Sequence, residues 1–268
     1  MKLPSLRIYA FAYLAFLYAP ILLLPIFAFN DGTIIAFPLK GFTLDWFSQM
    51  FANDTLGRAV RNSMIIAGST AVLATAFGIF AARAGTRFSF PGKGPIMGLI
   101  MLPLVLPEIM IGGSLLLVLL AIGIELSILT VILGHVLIAT PYTIAILNTA
   151  FASLDRSLEE AAYDLGEGKL STFRLITLPL VLPGIISSML IAFTISLDEF
   201  IIAFFLAGNE PTLPTYIFSQ LRFPKQIPMI MALGTCLVLL SIILLTIAEY
   251  VRRRGLKKTG AKDTGGFL

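Results

Sequence analysis

The sequence predicts an all-α membrane protein, a polytopic bundle of six transmembrane helices. Of its 268 residues, 57% are hydrophobic and 13% are charged, whereas about a quarter of a soluble domain is charged. The apolar residues form blocks of roughly 20, the length that crosses a bilayer core about 30 Å thick. They do not alternate with polar residues as the strands of a membrane barrel would. We place the spans at about 8–29, 63–82, 96–122, 127–150, 181–207 and 229–248.

The first span follows Lys2 and Arg7, as the core of a signal peptide would. Its apolar run is longer than the ~7–15 residues of such a core, and no small-residue cleavage site closes it, so we expect a retained helix. The single cysteine, Cys236, lies inside the last span, so we expect no disulfide bond.

Basic residues predict the orientation in the membrane. If the N-terminus is cytoplasmic, 14 of the 19 lysines and arginines fall on the cytoplasmic side, and the opposite orientation would invert this bias. Both termini are therefore expected in the cytoplasm. Basic residues scattered over span ends do not form a nucleic-acid-binding module, although the net charge is +4. The five outer basic residues are Lys40, Arg58, Arg61, Arg222 and Lys225.

One hexapeptide, LPLVLP, occurs at 102–107 and again at 178–183. An internal duplication and convergence both explain it. Its prolines remove backbone donors, so each copy is expected to kink or interrupt a helix. Such breaks are tolerated in lipid only against protein or a cavity, so both copies should point inward. The segment 252–268 is basic and then glycine-rich, so we expect a solvated, partly disordered tail.

The segment at about 151–180, between the fourth and fifth spans, predicts a short helix, a glycine turn and a second helix that enters the membrane. Ser157 and Glu160 are spaced as a capping box. Gly166 is placed to end the first helix, and Ser171 or Thr172 to cap the second.

The first of these two helices is amphipathic in its sequence pattern. Its apolar stripe could dock on another protein or lie on lipid headgroups, but acids outnumber bases, which disfavours anionic lipid. The stripe consists of Leu154, Leu158, Ala161, Ala162 and Leu165, and the charged residues on the other faces are Asp155, Arg156, Glu159 and Asp164.

The stretch EAAYDLGEGKLSTFRLITLP closely resembles the loop shared by permease subunits of ABC importers: Glu-Ala-Ala, three residues, Gly, nine residues, Ile-x-Leu-Pro. The resemblance implies the type I ABC importer permease fold. It also implies that residues 160–166 are the coupling helix, seated on a cytoplasmic ATPase subunit. The positions implied to contact the ATPase are Glu160, Ala161, Ala162, Asp164 and Gly166.

The chain lacks a phosphate-binding loop of the form GxxxxGK[ST]. We therefore expect that it is not an enzyme and needs no cofactor of its own. By the same resemblance, the partner ATPase binds ATP and Mg²⁺.

Four further segments resemble the second permease subunit of spermidine/putrescine importers: YAPILLLPIFAFN, GFTLDWF, LPEIMIG and FTISLDEFIIAFF. The likeness covers nearly the whole chain and implies one permease domain, residues 1–268, in a bacterial cytoplasmic (inner) membrane. It implies a homologous permease as heterodimer partner, two ATPase subunits and an extracytoplasmic binding protein. The family usually has Asp where this chain has Glu199, and often Asp where it has Glu108, which leaves the substrate length open.

Two acids, Glu108 and Asp198, lie deep inside predicted spans, where an acid costs about 2.5–3.5 kcal/mol. No Lys or Arg lies inside any predicted span to neutralise them. Unpaired acids in a low dielectric attract cations and repel anions, and spaced carboxylates with apolar surface between them suit a polyamine. Importers of sulfate, molybdate or phosphate should instead show basic residues or helix N-termini at this depth. Either acid could also cap a broken helix end.

Three further residues allow more than one interpretation. Around a continuous helix, Glu199 points about 100° away from Asp198. Three roles are open for it: it lines the substrate path, it faces a partner subunit, or it is structural. Trp46 could bind an ammonium on its ring or anchor its loop at the headgroups, and the resemblance favours the path. His135 is expected to pack against a helix, and no metal site is expected. The predicted substrate-path residues are thus Asp198, Glu108, Trp46 and Glu199.

The sequence therefore predicts the permease subunit of an ATP-driven importer that carries a polyamine. Within that class, another cationic or opine- or amino-sugar-like nutrient is the alternative substrate. A secondary transporter could use Asp198, Glu108 and His135 as proton carriers, but this leaves the Glu-Ala-Ala pattern unexplained. A membrane scaffold without transport activity explains neither the acids nor the pattern.

Overall fold

A computed structural model of the chain describes residues 3–259, and every regular element longer than one bridge in this range is helical. Side chains are described outside 1–5, 244–245 and 247–268. The helices are α1 (Leu3–Ala28), α2 (Asp45–Phe51), α3 (Asp54–Arg87), α4 (Lys93–Met101), α5 (Glu108–Ala121), α6 (Ile128–Ala152), α7 (Arg156–Asp164), α8 (Lys169–Thr172), α9 (Leu178–Asp198), α10 (Ile201–Leu206), α11 (Leu213–Gln220) and α12 (Ile227–Thr259).

Contacts divide the chain into two compact units. One unit contains the residues up to Asp54 and those from Ile217 onward, and the other is Thr55–Tyr216. That the whole chain forms one permease domain stays a prediction.

The first unit is built on the packing of α12 against α1 and α2. Gly234 of α12 lets the side chain of Leu24 approach closely, because a Cβ at this glycine would lie 3.2 Å from Leu24 Cδ2. Most large apolar side chains of α1 are exposed. This is the pattern of a helix whose surroundings are lipid or another protein rather than its own chain.

The second unit is centred on α6, which packs against α9 and α10. Phe151 and Leu147 of α6 are buried with Val181 of α9 at one end. At the other end, Val131 is buried with Ile202 and Leu206 of α10. The hydroxyl of Thr130 donates to the Leu206 carbonyl over 2.8 Å, which holds the end of α10 against the start of α6.

The predicted class, an all-helical membrane bundle, is confirmed. In the described range, five single helices are long and apolar enough to span a membrane, and a sixth span results if one bent pair is counted. That pair is 93–104 with α5, and its two parts meet at 103°. The third predicted span, 96–122, is therefore bent. The fifth, 181–207, is also interrupted, because α9 ends at Asp198 and α10 begins at Ile201.

The two LPLVLP copies behave differently. The first forms a turn of 3₁₀ helix at Leu102–Leu104 and then the bend before α5, as predicted. The second stays inside the continuous helical segment Lys169–Asp198, with Pro179 in the first turn of α9 and Pro183 further along it. The second copy therefore does not interrupt its helix, and the other predicted effect, a kink, stays a prediction there. A π-helical turn, Phe173–Thr177, precedes it.

The C-terminal segment also differs from its prediction. Helix α12 continues to Thr259, so 252–259 is helical rather than a disordered tail. Residues 260–268 of the predicted tail lie outside the described residues, as do Met1 and Lys2.

Gly134 of α6 offers a test of this packing. A Cβ there would lie 2.5 Å from Ile202 Cγ2 and 2.8 Å from Leu206 Cδ1 of α10. We expect Gly134→Ala to lower the free energy of unfolding by about 1–3 kcal/mol through overpacking. Thermal unfolding of the detergent-purified protein measures this. The matched control is Gly113→Ala in α5, where nothing lies within 4 Å of the added carbon, so no loss is expected. Equal loss in both variants would contradict the packing argument.

Candidate substrate path and coupling segment

The acidic pair in the fifth span lies at a helix break. Asp198 is the last residue of α9, and Glu199 follows in an extended conformation with ψ 110°. Glu199 is buried, and its Oε1 accepts a hydrogen bond from the Ile202 amide over 2.9 Å. Its carboxylate thus caps the first turn of α10, whose amides lack helical partners. The assumption of a continuous helix through both acids is wrong, because this cap and the extended residue separate α9 from α10.

Asp198, in contrast, is exposed, and its side chain has no hydrogen-bond or salt-bridge partner among the described residues. Two residues earlier, Ser196 is buried and its hydroxyl lies 2.7 Å from His135 Nδ1 of α6. This contact fixes the last turn of α9. His135 is therefore packed inside the second unit, as predicted, and no cluster of possible metal ligands exists in the described part of the chain.

Glu108 begins α5 immediately after the bend at Pro107. Its side chain is exposed and lies in the first turn, where the helix dipole favours a negative charge. Helix α5 packs against α10, with Phe205 approaching Gly112. The structure thus brings the two helix breaks, and the acids at them, to one region of the second unit.

Aromatic rings accompany these acids. The ring centroids of Phe200 and Phe204 are 5.5 Å apart, and those of Phe204 and Phe205 are 5.7 Å apart in an edge-on arrangement. Phe204 is 54% exposed. Carboxylates and ring faces therefore occur side by side after α9.

Trp46 lies in the first unit, on α2. Its indole Nε1 donates to the Asn30 carbonyl over 2.9 Å, and Asn30 Oδ1 in turn accepts from the Lys40 amide. Phe29 packs against Phe42 and Phe47 beside them. The indole N–H therefore folds the first outer loop, and the half-buried ring is the part left to contact other molecules.

The predicted coupling segment contains α7, the glycine turn and α8. Asp155 caps α7 by accepting from the Ser157 amide over 3.0 Å, so the predicted capping box of Ser157 with Glu160 is wrong. Neither Ser171 nor Thr172 caps α8, which begins after Gly168 without a side-chain cap.

Gly166 ends α7 as predicted. It has φ +86°, and its amide bonds the Tyr163 carbonyl while the Glu167 amide bonds the Ala162 carbonyl. These two bonds form a Schellman motif, which favours glycine at this position.

Most of the predicted contact positions on α7 are accessible. Glu160, Ala161, Asp164 and Gly166 are exposed, whereas Ala162 is buried and holds the helix against the rest of the unit. Leu165 and Leu158 are 86% and 44% exposed. The predicted apolar stripe is thus largely uncovered and suited to contact another protein.

Sequence reasoning missed the role of Glu159. It was assigned to an outer charged face, but it is buried. Its Oε2 lies 3.0 Å from Arg87 Nε of α3, and its Oε1 accepts from the Thr177 hydroxyl over 2.7 Å. The signal available was its spacing three residues before Ala162, which places both on one helix face.

The chain is similar to known membrane transport proteins in sequence and in fold. Residues 74–256 match the family of binding-protein-dependent transport system inner membrane components. The chain belongs to this family. It is 38% identical over 231 residues to the putrescine transport system permease protein PotI of Escherichia coli K12, covering 83% of this chain and 82% of PotI.

Two more similarities extend over most of the chain. The spermidine/putrescine transport system permease protein PotC of Haemophilus influenzae is 34% identical over 247 residues, 92% of this chain and 95% of PotC. A bacterial alginate ABC transporter, solved with a periplasmic protein bound to an alginate pentasaccharide, has a chain of the same fold. Its TM-score is 0.67 at 20% identity, over 90% of this chain and 91% of that one.

Glu199 provides a test of the capped break. Glu199→Ala removes the acceptor of the Ile202 amide, and we expect a loss of about 0.5–2 kcal/mol in the free energy of unfolding. Glu199→Gln keeps an oxygen at this place and should retain most of the stability. Thermal unfolding and amide exchange in α10 measure both variants. Equal losses would show that the cap is not the source of the effect.

Asp155 predicts a pH dependence of α7. The Ser157 amide, and then its hydroxyl, lower the pKa of Asp155 from its ordinary 3.8, and the Arg87 cation acts in the same direction. A carboxyl whose pKa is lower in the folded state contributes full stability above its unfolded pKa of about 3.9 and loses it as the pH falls through the folded value. Amide exchange in α7 should therefore accelerate below about pH 3.9. Asp155→Asn, a cap that does not titrate, should show no such step.

Proposed function

We propose that this chain is one of two homologous permease subunits of an ATP-driven importer for a polyamine such as putrescine or spermidine. The observation that carries the proposal is its similarity, over most of its length, to PotI and PotC, named as putrescine and spermidine/putrescine permeases. In this proposal residues 1–268 form one permease domain of a bacterial cytoplasmic membrane. Both termini lie in the cytoplasm, in accord with the excess of basic residues on that side.

The proposed partners are a second permease, two ATPase subunits and an extracytoplasmic binding protein. A periplasmic protein accompanies the alginate transporter of the same fold, which supports the last of these. ATP and Mg²⁺ are bound by the ATPase subunits, and this chain holds no cofactor. Glu160, Ala161, Asp164 and Gly166 contact the ATPase, while buried Ala162 seats α7 on its own unit.

The proposed path passes the two helix breaks of the second unit. Asp198 and Glu108 present carboxylates that the described residues leave without ion pairs. A polyamine carries ammonium groups separated by methylenes, so it can bind carboxylates and ring faces in turn. Phe204 supplies an exposed ring after Asp198. Glu199 shapes the break and contributes negative charge, and the Trp46 ring is a further proposed contact for an ammonium.

ATP supplies the direction of transport in this proposal. Nucleotide binding closes the ATPase dimer, and α7 follows the surface on which it sits. The permease pair then shifts from outward-open to inward-open states, a change of population set by the bound nucleotide.

The test is uptake by the reconstituted complex. We expect Asp198→Asn and Glu108→Gln each to lower kcat/KM for putrescine or spermidine about tenfold or more, the value of one charge-assisted contact. The matched control is Glu125→Gln, an exposed acid in the hairpin before α6. If both variants import the polyamine at the wild-type rate, Asp198 and Glu108 do not contribute to the substrate path.

The same vesicles distinguish the source of energy. Uptake should continue after the proton gradient is collapsed and should stop without ATP. The reverse result would indicate a proton-coupled transporter. Direct titration of the binding protein with putrescine and spermidine identifies the substrate, and binding of neither would overturn the assignment to polyamines.

A further inference from the structure

The cytoplasm-facing end of α3 in the proposed orientation is joined to the segment 154–177 by a set of polar contacts. Arg87 Nη2 donates to the Leu154 carbonyl over 3.0 Å, and its Nε forms the ion pair with Glu159. Arg156 Nη2 donates to the Thr86 carbonyl over 2.9 Å. The Arg83 guanidinium lies over the Phe173 ring, 4.0 Å from its centroid.

Glu159 is the centre of this set, because its carboxylate joins α7 both to α3 and to the turn before α9. One carboxylate oxygen faces Arg87 in the last turn of α3, and the other accepts from Thr177, the last residue before α9. The side chains of Arg87 and Glu159 are 10% and 9% exposed. The hydroxyl of Thr177 belongs to a fully buried residue. We call Glu159, Arg87 and Thr177 the carboxylate clamp.

We propose that the carboxylate clamp makes α7 move as one body with α3 and α9, and that Glu159 is the positioning residue through which the coupling helix drives the transmembrane path. This inference rests on the proposed function. The ATPase pushes or pulls α7 at its exposed face, whereas the clamp lies on its buried face. The two faces therefore have different tasks.

The physical reason is the cost of separating a buried ion pair. If α7 moved away from α3, Glu159 and Arg87, whose side chains are 9% and 10% exposed, would each lose the partner of a largely buried charge, which is unfavourable. Movement of the whole group keeps every contact. The Arg156 contact adds resistance to rotation, because it joins α7 to α3 at a second point. The Arg83 contact joins α3 to the π-helical turn before α9.

Helix α9 then carries the displacement to the proposed path. It runs without interruption from the residue after Thr177 to Asp198, a length of roughly 30 Å at 1.5 Å per residue. A displacement at Thr177 therefore reaches Asp198 through a single helix. No flexible linker lies between the clamp and that acid.

The experiment compares transport with ATP hydrolysis in the same reconstituted complex. We expect Glu159→Gln and Arg87→Gln to lower the number of substrate molecules imported per ATP about fivefold or more, within the usual range of coupling between sites. The amide of Glu159→Gln still accepts from Thr177, so this variant removes the ion pair in particular. Arg87→Lys retains the charge and should restore much of the ratio. Glu167→Gln, an exposed acid just after α7, is the matched control and should leave the ratio unchanged.

The double variant Arg87→Gln/Glu159→Gln tests whether the pair acts as a unit. Its ratio should equal that of either single variant, because each single change already breaks the pair. If the single variants lower only the melting temperature and keep the wild-type ratio, the clamp is a structural contact and the inference is wrong. If the unmodified complex shows no ATP-dependent uptake, the proposed function fails instead.

A distance measurement in the assembled complex tests the same inference without a transport assay. Spin labels at Glu167→Cys and Phe88→Cys, in a Cys236→Ala background, report on α7 and the end of α3, and both native side chains are exposed. The distance should stay constant between nucleotide-free and ATP-bound states, and it should change in the Glu159→Gln background. A distance that already changes in the parent background would overturn the rigid-body inference.

Discussion

Every backbone amide and carbonyl in the hydrocarbon core must find a partner within the protein, because no water is present to replace it. A helix meets this requirement along its length, and a helix break meets it only when other groups supply the missing partners. The break after α9 shows how this is done, since the Glu199 carboxylate accepts from the Ile202 amide. The opposite end of α10 is held by Thr130, whose hydroxyl donates to the Leu206 carbonyl. An interrupted helix at membrane depth is therefore held by specific hydrogen bonds, and these bonds also fix the backbone of the acids at the break.

The sequence was sufficient for the helical class and for the bend at the first LPLVLP copy, because long apolar blocks and proline are strong local signals. It was also sufficient for the end of α7, since a glycine after an amphipathic run has one common use. The break at Glu199 was not predictable in this way. The residues around it are as apolar as those of an unbroken span, and the deciding interaction is a hydrogen bond from a side chain to an amide three residues later. The two LPLVLP copies, identical in sequence, show the same limit, because their surroundings decide whether the proline bends the helix or lies in its first turn.

The candidate site was predictable at the level of residue type and less so at the level of role. The acids in the spans stand out by their cost in lipid, and the structure leaves Asp198 and Glu108 exposed. Trp46 stands out as the single tryptophan, but its indole N–H is used to fold a loop. Glu159 could not be distinguished from its neighbours by type, since Asp155, Glu160 and Asp164 are acids on the same short helix. Its spacing three residues before Ala162 is the one local signal, and its partner Arg87 lies more than seventy residues earlier in the chain.

The chain has two pairs of adjacent acidic residues, and both pairs combine one buried and one exposed carboxylate. In each pair, Glu159 with Glu160 and Asp198 with Glu199, one carboxylate is buried and bonded to its own chain, and the other is exposed. Adjacent residues on a helix point about 100° apart, so α7 buries Glu159 and exposes Glu160. In the other pair, α9 ends at Asp198 and the extended backbone of Glu199 separates the two side chains. The buried carboxylate fixes the backbone that carries the exposed one, which then meets an external partner without losing its own order. An exposed acid on a free loop would have to be ordered at each encounter, at a cost in conformational entropy. Burying its neighbour removes that cost during folding, both where the ATPase is proposed to dock and where the substrate is proposed to pass.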